Sequence, residues 1–154
     1  MVTIYTPQIE DLWFKETMLS DPETMSYNHA WGGTIPFPED KWFTWYERWI
    51  VHHDNQRYYR YLKDDAGSFV GEIAYHFDNE LGVHLANVIV YAPFRNKGYG
   101  GAGLDLLCLA AKENGLELLY DNMAIDNPAL SLFLKHGFTE DYRDDDIIML
   151  KKEL

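Results

Sequence analysis

The sequence predicts an α+β fold: a mixed, mostly antiparallel central sheet with one parallel strand-helix-strand crossover and helices on both faces, in a single domain over residues 1–154. Three observations carry this. Residues 57–91 hold three β-type runs separated by short polar turns, the pattern of an antiparallel meander. Residues 83–125 read as strand, glycine loop, helix, strand, and a crossover of that length makes the two strands parallel and the connection right-handed. Phe138–Tyr142 and Ile147–Lys151 flank the acidic turn Arg143-Asp144-Asp145-Asp146 as a closing hairpin.

Taken in order, Val2-Thr3-Ile4-Tyr5 is a short first strand closed by Pro7. Ile9 to Leu19 carries Ile9, Leu12, Trp13, Glu16 and Met18 in a helical pattern that Asp21-Pro22 ends. Glu23 to Pro38 changes character to a long loop rich in aromatics, glycine and proline, and compact domains keep such loops mainly for function. Glu39 to His53 is a helix with Trp42, Trp45, Tyr46 and Trp49 on one stripe. That stripe suits core packing, and it also offers an apolar patch on which a homodimer could form.

Arg57–Leu62 and Ser68–Phe77 are strands joined by the turn Lys63–Gly67, and Asp78–Gly82 leads into the strand Val83–Tyr91. The last is β-branched and apolar with too few polar positions to alternate, so burial on both faces is expected. Pro93 ends it. A helix then starts near Gly100, shows its apolar spacing over Leu104–Lys112 and stops at Asn114-Gly115. Leu116–Ile125 is a further apolar strand. Asn127-Pro128 opens the next helix with its cap at Asn127, and Gly137 closes it.

Thirteen basic against twenty-five acidic residues leave a net charge of -12. That field repels nucleic acid and anionic membrane and favours small cationic molecules or basic peptides. No run approaches the roughly 18 apolar residues of a membrane span, and residues 1–20 lack an apolar signal core. One cysteine, Cys108, excludes an internal disulfide framework and sits within an apolar helical run, so a cytoplasmic protein is expected. The six histidines lack a ligand spacing with acidic or thiol partners, so no metal is expected.

Against this acidic background, the segment after Pro93 is a positive island: Arg95 and Lys97, then Gly98, Gly100, Gly101 and Gly103 at the mouth of a helix. Glycines let a bound group approach the main chain, the first-turn amides have no internal partner, and the helix dipole adds positive potential. Such a loop binds an anion, most often phosphate. Gly98-x-Gly100-x-x-Gly103 also fits the dinucleotide fingerprint, with Asp121 near the distance of a ribose-binding acid. On that reading the chain is a nucleotide-binding fragment that prefers NAD, but the residues after Gly103 are too few for the second βαβαβ half.

Arg95-x-x-Gly98-x-Gly100, with Val88-x-Val90 before it, resembles the pyrophosphate signature of the GNAT superfamily of N-acetyltransferases, and the segment from Asp126 to Phe138 looks like that family's second motif. The resemblance implies acetyl-CoA as co-substrate, with no metal. Its pyrophosphate would lie on Arg95, Asn96, Lys97, Gly98, Tyr99, Gly100 and Gly101, its pantetheine arm beside Val88, Ile89 and Val90 where two strands splay, and Asn127 would contact it. It further implies direct acetyl transfer, in a ternary complex, to the amine of a small cationic acceptor.

The catalytic groups are less legible. If the turn occupies Asp78 to Leu81, pairing places Glu72 opposite Asn87, with Val70, Ala74 and His76 on the same face. Glu72 is then the base, directly or through water, with His76 and His29 as alternatives. The family's tyrosine position holds Phe133, which cannot protonate a thiolate. Tyr120 or Tyr99 takes that role, or no side chain does. Tyr27, His29 and Trp31 in the aromatic loop, with Asn87, are the expected acceptor contacts, suited to polyamine-like or aminosugar amines. The other reading of the same motifs is a non-catalytic acyl-CoA-binding module or sensor.

Overall fold

The structure, a computed structural model, describes every residue from Met1 to Leu154. Its strands are β1 (Thr3–Tyr5), β2 (Arg57–Lys63), β3 (Phe69–Asp78), β4 (Val83–Val90), β5 (Leu118–Ala124), β6 (Thr139–Arg143) and β7 (Ile147–Glu153). They form one sheet in the order β1-β2-β3-β4-β5-β7-β6, antiparallel throughout except between β4 and β5. The α-helices are α1 (Trp13–Ser20), α2 (Trp42–Tyr46), α3 (Tyr99–Glu113) and α4 (Leu130–Lys135). None is long and apolar enough to cross a membrane.

Two cores lie on opposite faces of the sheet, and neighbouring residues of one strand divide between them as strand alternation requires. Tyr58 and Leu62 join Leu104 and Leu107 of α3 and Phe133 of α4, whereas Tyr59 and Tyr61 join Phe14 and Met18 of α1. The stripe Trp42, Trp45, Tyr46 and Trp49 packs against this second core, so it serves the protein's own interior and leaves Phe43 as the exposed aromatic of its helix.

Three local expectations are corrected. Glu72 stands opposite Ile89, and it is Ala74 that faces Asn87. The ladder continues to Asp78↔Val83 because the Asp78 carboxylate caps the amides of Glu80 and Leu81 while Gly82 turns at φ 70°, which moves the turn one residue onward. Val70 leaves the Glu72 face, because pairing slips between Leu62↔Gly71 and Lys63↔Phe69 and turns its side chain into the α3 core. The expected loop over residues 23–38 is half helical: Thr24–Trp31 winds as a 3-10 helix that ends on Gly32 at φ 103°. The helix over 39–53 is present but changes winding, from a 3-10 turn through α2 to a π-helix at Glu47–Val51.

Candidate active site

The parallel pair β4 and β5 meets at one point, Leu85↔Tyr120, and then diverges. The opening is a cavity of about 660 Å³ with Asn87–Val90 along one wall and Asp121, Asn122 and Met123 along the other. This explains why Val88 and Val90 are only half-buried where sequence predicts a strand enclosed on both faces. The Tyr91 amide donates to Val70 O at 2.9 Å across β3. In an antiparallel ladder these directions alternate, so the amides of Val88 and Val90 point the other way, into the opening.

At the mouth of the cavity lies the glycine loop. Ala102 is the first residue of α3 whose amide finds a carbonyl, that of Gly98 at 3.2 Å, so the amides from Asn96 to Gly101 have no partner within the chain. Asn96 at φ 64° and Gly98 at φ 83° make the turn that presents them. The glycines divide their work. A Cβ on Gly98 would meet nothing within 4 Å, whereas on Gly103 it would lie 2.8 Å from Leu62 Cδ1 and on Gly101 2.8 Å from His136 Nε2. Gly98 therefore leaves an open cradle, while Gly101 and Gly103 let α3 approach α4 and the sheet.

The two cations of the loop behave differently. Arg95 lines the cavity, but its Nη2 donates to the carbonyls of Glu23 and Thr24 at 3.1 and 3.0 Å, which ties the aromatic segment to the loop. Lys97 is exposed, its Nζ 5.7 Å from the Phe94 ring centre, free to meet an anion. Asn127 is buried and lines the cavity, but it does not cap α4 as expected: its Oδ1 accepts from the Ala129 amide at 2.8 Å and its carbonyl from the Leu130 amide at 3.1 Å, which closes a turn first and leaves Ala129 as the N-cap.

At the inner end, Glu72 is 2% exposed. Its Oε1 accepts from Tyr59 OH at 2.9 Å and from Lys15 Nζ at 3.4 Å, and its Oε2 from Asn87 Nδ2 at 3.1 Å, the diagonal contact left by the observed register. Lys15 Nζ lies over three rings, 4.8 Å from the centre of Tyr59, 4.9 Å from Trp45 and 5.6 Å from Phe37. Asp121 has no charged partner, and burial between the strands raises its carboxyl well above the usual carboxylate range, only partly opposed by the Asn122 amide. Burial lowers His76, which packs edge-on against Trp49.

Of the expected acceptor residues, Tyr27, Trp31 and Asn87 line the cavity. His29 does not. Its exposed ring bridges to Asp126 with Nε2 3.1 Å from Oδ1. Tyr120 and Tyr99 are also absent from the lining, because on β5 the cavity takes its neighbours Asp121 and Asn122, and Tyr99 begins α3 outside it. Phe133 is in the wall, packed edge-on against Phe138. Among cavity hydroxyls, Tyr59 is held by Glu72, Thr24 accepts from the Ala92 amide, and Ser26 donates to Glu23 O. Tyr27 has no such partner, and burial, then the Glu72 charge, raises its phenol so that it keeps its proton. Sequence reasoning passed over Lys15 entirely and saw Asp121 only as a ribose contact, although an acid within the apolar run Leu116–Ile125 was a signal.

Residues 13–138 match the sequence model of the Acetyltransferase (GNAT) family. No curated protein matches the chain in sequence. Among solved structures, it is similar to spermidine N-acetyltransferase from Vibrio cholerae in complex with CoA and spermine, with TM-score 0.78 and 19% identity over 99% of this chain and 95% of that one. An N-acetyltransferase from Staphylococcus aureus Mu50 superposes with TM-score 0.75 at 20% identity, covering 99% of this chain and 98% of that one. The Salmonella typhimurium protein yncA with its cofactor acetyl-CoA gives TM-score 0.74 at 19% identity, covering 100% and 94%. At such identities the likeness is one of fold.

Proposed function

The chain belongs to the GNAT family of acetyltransferases, and on that premise we propose that it transfers the acetyl group of acetyl-CoA directly to the amine of a small acceptor held in this cavity. The observation that carries the reading is the junction of an opened β4/β5 edge with six consecutive unpartnered amides, Asn96 to Gly101. A row of main-chain donors at a helix N-terminus fits a diphosphate, and Lys97 adds charge. Bound there, acetyl-CoA would supply the thioester acyl group.

The chain's own residues then divide the chemistry. The amides of Val88 and Val90 face the opening, as fixed donors toward negative charge developing on an acyl oxygen. Asp121 accepts the proton that the acceptor ammonium must lose, a role that a carboxyl with a raised pKa suits. It replaces Glu72 in that role, since three donors already engage the Glu72 carboxylate. Tyr27, protonated and unpartnered, replaces Tyr120 as the proton donor to a departing thiolate. Trp31 and Asn87 contribute to the acceptor wall, and the aromatic lining favours an organic cation.

Incubation with acetyl-CoA and a panel of amines tests the reading, with thiol release and product mass as readouts. Acceptor-dependent thiol release is expected. Tight CoA binding without turnover for any amine would instead favour the non-catalytic acyl-CoA-binding reading, for which the phenyl ring of Phe133 in place of a hydroxyl speaks.

A further inference from the structure

We propose that Lys15 is a built-in occupant of the site's cation pocket, so that the acceptor is a monoamine with an apolar, planar body and neither a diamine nor a polyamine. The inference rests on the acetyl-transfer reading and names the substrate class for the same cavity. A pocket that recognises an alkylammonium gathers aromatic faces around the charge and sets a carboxylate beside it. Phe37, Trp45 and Tyr59 with Glu72 form such a pocket, and the ammonium inside it belongs to the chain, on a lysine that is only 8% exposed.

The remaining charges leave no place for a second ammonium. Two acids line the cavity, Glu72 and Asp121. Glu72 is neutralised by Lys15 and hydrogen-bonded on both oxygens. Asp121 is half-buried in a setting that disfavours its charge, and on the acetyl-transfer reading it serves the reacting amine. Arg95 adds a positive charge at the other end of the wall. What is left for the body of the acceptor is apolar, the side chains of Leu19, Met25 and Ile35 together with the two planar rings of Trp31 and Trp49. A second ammonium placed there would lose its water with only the faces of Trp31 and Trp49, and no anion, to offset the loss.

The test measures binding of two probes to the protein without cofactor, by calorimetry: 2-phenylethylamine and 1,4-diaminobutane. Wild type is expected to bind the aromatic monoamine at least tenfold more tightly. Lys15→Met frees both cage and carboxylate, and is expected to shift the ratio at least tenfold toward the diamine. The double variant K15M/E72Q removes anion and cation together, so it should fold even where K15M does not, and it should keep the monoamine preference. A wild-type preference for the diamine, binding of neither probe, an unchanged ratio in folded K15M, or a diamine preference in the double variant each overturns the proposal. Because the binding ratios need no turnover, absence of thiol release with every amine would sink the acetyl-transfer reading separately.

Discussion

Glycines of one loop should fail in different ways when replaced, and Gly98→Asp against Gly103→Ala shows this most directly. At Gly98 a side chain meets nothing within 4 Å, so the folding cost is that of a left-handed conformation at φ 83°. For Asp, which tolerates that region better than most residues, this is about 1 kcal/mol, or about 2–4 °C in Tm for a chain of this size. The effect on CoA is larger. One added carboxylate about 5 Å from one phosphate charge costs roughly 0.8 kcal/mol at the dielectric of water and roughly 3 kcal/mol at an effective value near 20. Kd for CoA should therefore rise between about fourfold and about 150-fold, and the penalty should shrink as salt is added. Gly103→Ala drives a methyl to 2.8 Å from Leu62 Cδ1 and 3.2 Å from Ile73 Cγ2 in the core under α3. Overpacking of about 1–3 kcal/mol, offset by about 1 kcal/mol of helix propensity, predicts a modest loss of Tm with CoA affinity preserved. Calorimetric titration with CoA and scanning calorimetry on the same samples decide. If G98D binds CoA as wild type does, or if G103A loses CoA affinity while melting normally, the assignment of the Asn96–Gly101 amides to a diphosphate is wrong.

Three further outcomes follow from the cavity. Asp121→Asn should lower kcat by roughly 10² to 10⁴ and yet stabilise the fold at pH 8. The raised carboxyl holds its proton to a higher pH in the folded state than in the unfolded chain, which releases it near about pH 3.9, so wild type loses stability as pH rises from there to the folded pKa, above which the carboxylate is available as the base. D121N escapes that loss, and melting curves for the two that run parallel from pH 4 to pH 8 would refute the assignment. Tyr27→Phe removes the unpartnered hydroxyl and should lower kcat about tenfold or more while leaving KM for acetyl-CoA unchanged; full kcat in that variant would remove the tyrosine from the mechanism. Glu72→Gln strands the buried Lys15 ammonium and should cost about 3 kcal/mol, roughly 6–12 °C in Tm, most of it recovered in K15M/E72Q. Equal melting of E72Q and wild type would show that the pair carries no stability.

Local patterns determined a good deal by themselves. Alternation and turn residues identify the meander of β2, β3 and β4, and Gly137 marks the end of α4, because strand spacing and glycine turns are settled over a few residues, whereas the expected cap at Asn127 falls in the turn before the helix. The row of loop amides is legible for the same reason: a glycine-rich entry to a helix leaves its first donors free whatever surrounds it. Tertiary structure decided the chemistry. Whether Glu72 faces Asn87 or Ile89 depends on one residue of turn that the Asp78 side chain sets, and its three donors come from α1, β2 and β4. Tyr120 and Asp121 are adjacent in sequence, and only the divergence of β5 from β4 puts the acid, and not the phenol, in the cavity wall. Lys15 reads as one more charge on a helix until residues 37, 45 and 59 bring their rings around it. Desolvation and ring-face attraction act through space over a few ångströms, so a carboxyl's proton affinity and a lysine's partners are properties of what the fold assembles, which spacing along the chain does not contain.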